Sequence, residues 1–156
     1  MAILHLVYCE QEVVMTQLSH TVAQTLLQAG AVVLRPDAPF TFASGMRSPI
    51  YCDNRVLLGN LQARRVVVQA FAQHIGQAEV LAGPATGAIP WVAWVSELCG
   101  LPMAYVRSEA KAHGRGQQIE GADLAGRRLL LLEDTVSTGA SVLKAAEAVR
   151  SASARL

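Results

Sequence analysis

The chain has 156 residues, enough for one domain with a core of its own. Lys plus Arg number 13 against 12 Asp plus Glu, a formal charge of +1, which argues against a nucleic-acid module with a broad basic surface but leaves room for a small anion pocket. With 52% hydrophobic and 16% charged residues a disordered chain is excluded, and no apolar run approaches the roughly 18–20 residues of a membrane span.

Ala2 to Cys9 is apolar, but no basic segment precedes it and Glu10 and Glu12 follow. Tyr8 stands where a lipoprotein cleavage site needs a small residue, so export is not expected. Cys9, Cys52 and Cys99 are too few and too scattered for a disulfide framework, and the expectation is a reduced, cytoplasmic protein. Residues 1–15 read as an N-terminal extension: a strand, a loose segment or an artefact of start-site choice. Residues 16–156 read as the domain.

From Thr16 to Ala29, Leu18, Val22 and Leu26 recur every four residues and predict a helix that Gly30 stops. Asp37 to Asn54 is dense in Pro, Gly, Ser and aromatics and predicts loops and short strands. Gly59 to Ile75 predicts a second helix with Leu61, Val66 and Ala70 on one side. Glu79 to Ala82 predicts a strand, Ala88 to Leu98 a helix and Pro102 to Val106 another strand. Ser108 to Gly126 is polar and glycine-rich and predicts a mobile loop outside the core. Arg127 to Leu132 carries four consecutive leucines and predicts a parallel strand buried on both faces. Ser141 to Val149 predicts a helix through Val142, Ala145, Ala146 and Val149. Strands alternating with helices predict an α/β domain with a mostly parallel sheet.

The segment Glu133-Asp134-Thr135-Val136-Ser137-Thr138-Gly139-Ala140-Ser141 lies between a strand and a helix, where parallel sheets bind ligands. Ser137, Thr138 and Ser141 offer hydroxyls, Gly139 admits close backbone approach, and the helix start supplies free N–H groups; together they suit a phosphate. Two adjacent acids would repel that phosphate if aimed at it, but they suit sugar hydroxyls as hydrogen-bond acceptors. The segment therefore reads as a site for a phosphorylated ribose, against the plainer reading of a strand–helix turn with capping hydroxyls. Gly83-Pro84-Ala85-Thr86-Gly87-Ala88 fits an anion at a second helix start, against plain turn chemistry. Arg107, Lys111, His113 and Arg115 are either a cationic cluster closing over an anion or a solvated basic loop. Ser44 to Pro49 is compatible with a turn that presents Arg47, and Tyr51 can face a planar ring. No Walker lysine and no Cys/His metal spacing is present; His5, His20 and His74 read as surface or core histidines.

The nine residues Glu133 to Ser141 resemble the signature of the type I phosphoribosyltransferases, which bind 5-phosphoribosyl 1-diphosphate (PRPP). Phe40-Thr41-Phe42-Ala43-Ser44-Gly45-Met46-Arg47-Ser48-Pro49-Ile50-Tyr51-Cys52-Asp53-Asn54-Arg55 is similar to the N-terminal stretch of the orotate branch. Tyr105 to Gly114, with Arg107, Lys111 and His113, is similar to that branch's catalytic loop, and Gln118-Ile119-Glu120-Gly121 continues it. The similarity runs from about Thr16 to about Val149. It implies the type I phosphoribosyltransferase fold, with a small N-terminal hood over the sheet.

The resemblance also implies transfer of a phosphoribosyl group from PRPP to orotate with Mg²⁺. Lys111, His113 and Arg107 would be catalytic. Glu133 to Ser141, Thr86 and Gly87 would bind PRPP. Ser137, Arg47 and Tyr51 would bind orotate, and no side chain would ligate the metal directly. A homodimer is implied, because in the family this loop reaches the partner's site; nucleic-acid and membrane partners are not. Ser108 and Glu109 follow Arg107 where some members carry a lysine, and Ala43 stands where some carry another. Family members continue beyond the last helix into a further core strand, an orotate-contacting arginine and a closing helix. Ser151 to Leu156 does not resemble that part, so Arg155 is not assigned the arginine's role, and an exposed sheet edge is expected. Two other readings stand beside this one: transfer to a purine or another base, and a non-catalytic PRPP-binding regulator or inactive remnant.

Overall fold

Val22 and Leu26 are the buried positions of the first helix, one turn apart, as their spacing predicts. The computed structural model describes residues 17–42, 45–109 and 118–156, and the expected extension at 1–15 lies outside them. The chain divides into two compact units at Ala70 and Phe71.

The first unit begins with α1 (Gln17–Gln28), which ends at Gly30. Two small antiparallel ribbons follow. β1 (Val32–Leu34) pairs with β4 (Ile50–Cys52), placing Leu34 opposite Ile50, and β2 (Phe40–Thr41) pairs with β3 (Arg47–Ser48), placing Thr41 opposite Arg47. A 3-10 turn over Asn54–Gly59 leads into α2 (Leu61–Ala72), whose third residue donates its N–H to the Asn60 side chain. The buried residues of α2 are Ala63, Val67, Val68, Ala70 and Phe71; of the expected Leu61, Val66 and Ala70, only Ala70 is among them. Leu61 is 45% exposed and Val66 only partly buried. Leu61 and Val66 fall outside the stripe that Ala63, Val67, Ala70 and Phe71 form at helical spacing; α2 carries apolar residues on more than one face, and packing against the rest of the chain selects which is buried.

The second unit holds β5 (Val80–Pro84), α3 (Ala88–Cys99), β6 (Met103–Val106), β7 (Ile119–Gly121), β8 (Leu129–Leu131) and α4 (Ala140–Ser151). The sheet order is β7-β6-β5-β8; β5 is parallel to β6 and β8, and β7 is antiparallel to β6. The sheet is thus mostly parallel, as expected. Val80 and Ala82 pack in one cluster with Ala104, Val106, Ala145 and Val149, the last two from α4. Gly83 faces Ala88 and Val92 of α3. Alternate residues of a strand point to opposite faces, so α4 and α3 cover opposite sides of β5. All five β5 residues are buried accordingly.

Two expectations are corrected here. The run of leucines is not the strand buried on both faces. It forms an edge strand, β8, with Leu130 and Leu131 only partly buried, while β5 with its small residues is central. Leucine content reports apolarity, whereas centrality is decided by which strands pair. The polar stretch Ser108 to Gly126 also contributes to the core: β7 pairs with β6, and Leu124 is 3% exposed within the cluster. Backbone pairing, which needs no apolar side chains, makes β7. The free edge of β8 is partly occupied. Arg155 bridges Arg128 in parallel, and its guanidinium donates to the carbonyl of Gly126.

Candidate active site

Three loops meet at the carboxyl end of the second unit's sheet. Pro84 stands beside Val106, and Ala82 beside Leu131, so β5, β6 and β8 end together. Beyond them come Ala85 to Gly87, Arg107, and Glu133 to Gly139. The Ala85 N–H donates to the Val106 carbonyl at 2.7 Å and the Leu132 N–H to the Ala82 carbonyl at 2.8 Å, tying the three strand ends into one rim. A Cβ added to Gly87 would lie 3.1 Å from Asp134 Oδ1, so the loop after β5 runs against that carboxylate. The fold thereby gathers Thr86, Gly87, Arg107, Glu133, Asp134 and the start of α4 at one place in one unit.

Gly139 caps α4 with φ +81°, a left-handed conformation that a Cβ disfavours. It brings no side-chain acceptor to the helix start. The Thr138 hydroxyl accepts from the Ala140 N–H at 3.4 Å. Ser137, Thr138 and Ala140 are exposed, Thr135, Val136 and Gly139 half-buried. Exposed hydroxyls around a helix N-terminus form an arrangement able to hold an anion.

Glu133 ends the strand side of this loop and Ser141 opens its helix side. The Ser141 hydroxyl donates to Glu133 Oε2 at 3.0 Å, and the Asp134 N–H donates to Oε1 at 3.3 Å. Partial burial, joined by the neighbouring Asp134, pushes the Glu133 carboxyl from 4.5 up to about 7, and the Ser141 hydrogen bond opposes that rise. Glu133 therefore changes charge near neutrality while lying beside a candidate phosphate loop.

Arg107 leaves β6 with its Nε buried and without a hydrogen-bond partner among the described residues. Its backbone is held from both sides: its N–H donates to the Gln118 carbonyl at 2.8 Å, and the Gln118 amide donates to its carbonyl at 3.1 Å. A buried, unpartnered guanidinium donor suits an anionic group. Lys111, His113 and Arg115 lie outside the described residues. Among the described residues no three His, Cys, Asp or Glu side chains converge as metal ligands, and no helix is long and apolar enough to cross a membrane.

Arg47 and Tyr51 belong to the first unit. Gly45 closes the turn between β2 and β3, with its N–H on the Phe42 carbonyl, and Arg47 opens β3 in an exposed position. Tyr51 is 37% exposed, its ring centroid 5.2 Å from that of Phe40 and 6.4 Å from that of Phe42. The Arg35 guanidinium lies 4.7 Å from the Phe40 centroid, in cation–π contact. Sequence reading missed this aromatic group. The alternation Phe40-x-Phe42 hints at a shared strand face, but nothing in the sequence places Arg35 over it.

A family profile described as the phosphoribosyl transferase domain matches residues 57–156, most of the chain. The chain belongs to the phosphoribosyl transferase domain family. Among individual relatives, the chain is 50% identical over 139 residues to the orotate phosphoribosyltransferase of Listeria monocytogenes serotype 4b, covering 86% of this chain and 66% of that protein. It is similar in structure to the orotate phosphoribosyltransferase of Aeropyrum pernix, with TM-score 0.74 and 34% identity over 86% of this chain and 76% of that one. The Mycobacterium tuberculosis orotate phosphoribosyltransferase in complex with PRPP matches with TM-score 0.66 and 25% identity, over 86% and 76% of the two chains. The chain thus spans slightly under two thirds of the Listeria relative's length. The phosphoribosyl transferase fold expected from the motifs is the fold observed.

Proposed function

We propose that this phosphoribosyl transferase domain acts on orotate: it binds PRPP at the rim of the sheet and produces orotidine 5′-monophosphate and pyrophosphate, a step of pyrimidine nucleotide synthesis. The observation that carries this reading is the meeting of the Glu133–Asp134 pair, the Thr135–Ser141 loop and Arg107 at one strand end. Half-identity to a protein named orotate phosphoribosyltransferase supports the choice of base.

In this reading the bond from ribose C1 to the pyrophosphate oxygen breaks, and its electron pair leaves with pyrophosphate. A ring nitrogen of orotate forms the new bond to C1. The carboxylate gives orotate its charge; the proton on the reacting ring nitrogen is lost as the new bond forms, to water or to the departing pyrophosphate. Glu133 and Asp134 accept hydrogen bonds from the ribose hydroxyls, and Thr135, Val136, Ser137, Thr138, Gly139, Ala140 and Ser141 surround the 5′-phosphate. Thr86 and Gly87 face the pyrophosphate. Arg107, with Lys111 and His113, neutralises the charge growing on it, which lowers the barrier more than the same charges would in water. Ser137 serves orotate.

Mg²⁺ enters as part of the substrate, held by PRPP oxygens. It supplies charge neutralisation on the pyrophosphate. A homodimer sharing the loop around Lys111, in the reducing cytoplasm, belongs to the same reading.

The alternative reading is a PRPP binder without turnover. Loss of orotate absorbance on adding PRPP and Mg²⁺ to the purified chain decides between them. A PRPP-dependent decrease is expected. PRPP binding without any decrease, in a folded sample, would establish the second reading instead.

A further inference from the structure

Glu133 and Ser141 stand at the two ends of the candidate phosphate loop, eight residues apart, and are joined across its neck by a 3.0 Å hydrogen bond. Ser141 is exposed, so its hydroxyl is also open to a ligand in the loop. A hydroxyl has one proton to donate. It can go to Glu133 or to a phosphate oxygen, not to both at full strength. Both Glu133 oxygens already carry an internal donor, Ser141 on Oε2 and the Asp134 N–H on Oε1.

We propose that Ser141 is a positioning residue that couples the two halves of ligand recognition: a 5′-phosphate draws the Ser141 hydroxyl away from Glu133 and so frees the Oε2 acceptor site it occupied for a ribose hydroxyl. This deepens the PRPP reading of the same site and rests on it. The consequence is selectivity for ligands that carry both a phosphate and a ribose. A sugar without phosphate meets an acid still engaged by Ser141. Coupling of this kind is reciprocal, so ribose capture by Glu133 equally favours release of Ser141 to the phosphate.

The groups that act on the Glu133 carboxyl among the described residues are Asp134, beside it in the chain, and Ser141, from α4. Asp134 is common to the free and bound states. Ser141 is the partner that a ligand can remove. The hydrogen bond from Ser141 favours the charged form of Glu133, so its loss leaves the carboxyl easier to protonate.

The test follows the Glu133 carboxyl by carbon NMR through a pH titration in the wild-type chain, Ser141→Ala and Ser141→Thr. Each is measured free and saturated with ribose 5-phosphate. In the free proteins the Ser141→Ala midpoint is expected about 0.5–1 pH unit above wild type, the worth of one hydrogen bond to a charged group with part of it lost to water. Ser141→Thr, which keeps the hydroxyl, is expected to match wild type. With ribose 5-phosphate bound the gap between wild type and Ser141→Ala is expected to close. Ligand charge and ribose hydroxyls act on both proteins alike, so only the departure of Ser141 can close it. Coincident midpoints in the free proteins would overturn the proposal, and so would a gap that persists in the complexes. Failure of the folded wild-type chain to bind either ribose 5-phosphate or PRPP would remove the function reading and the coupling with it, while the free-protein comparison would still report the Ser141–Glu133 bond.

Discussion

Gly83→Ala is expected to destabilise the chain by about 3 kcal/mol, at the upper end of what one extra methyl costs in a packed core. The added Cβ would meet the Leu132 carbonyl oxygen at 2.7 Å, Ala88 Cβ at 2.8 Å and Val92 Cγ2 at 2.8 Å. One of these is backbone of the neighbouring strand, and the other two belong to the buried side of α3. None is the far end of a flexible side chain, so relief requires moving α3 or β8 bodily. Thr86 and Gly87 follow three and four residues later, so the same movement disturbs the candidate pyrophosphate loop. The melting temperature is expected to fall by roughly 6–12 °C for a domain of this size. Gly59→Ala is the control. That position has open space around it and no left-handed backbone, so its effect should stay within about 0.5 kcal/mol. A Gly83→Ala protein as stable as the control in a denaturant titration would refute the packing argument.

Glu133→Gln is expected to do two opposite things, both depending on pH. The folded protein raises the Glu133 carboxyl from 4.5 to about 7. Below the lower value the group is neutral in both folded and unfolded chains. Between the two values the unfolded chain loses its proton first, so stability falls as pH rises, and above the folded value the cost is complete. Glutamine is never charged and escapes this cost, while its carbonyl can still accept from Ser141. The variant should therefore match wild type near the unfolded value and gain at alkaline pH. Because the carboxyl is half-exposed and screened by solvent, that gain is put at about 1–2 kcal/mol. Denaturant midpoints measured at the two extremes test the sign, and equal differences at both would contradict it.

PRPP binding should move the other way. An ionised carboxylate accepts ribose hydroxyls more strongly than an amide, so at alkaline pH the variant should bind PRPP about 10–100-fold more weakly. At acid pH, where Glu133 itself is protonated, that difference should shrink. A variant more stable and less able to bind at the same pH is the signature of a residue held for function at the expense of the fold. Unchanged PRPP affinity at alkaline pH would remove Glu133 from the ribose site.

The sequence by itself determined most of the elements and which polar groups the loops carry. The helical spacing of Val22 and Leu26, and of Val142, Ala145 and Val149, marked real buried stripes, because local periodicity and burial coincide when a helix has one apolar face. The acid pair, the hydroxyls and Gly139 were legible as one polar loop between a strand and a helix, because residue type and position in the chain carry that information locally. Everything that depended on pairing at a distance was not legible. Leucine content alone made β8 look central, and only the register showed that β5, with its small Ala82 and Gly83, lies between two neighbours. β7 hid in a polar stretch because a ribbon edge is held by backbone hydrogen bonds, which leave no mark in side-chain pattern. The contact of Gly87 with Asp134, the link from Ser141 to Glu133 and the raised carboxyl of Glu133 all arise where strand and loop ends meet in space. A sequence records which groups are present. Their distances, and so their charge states and partners, are properties of the folded chain.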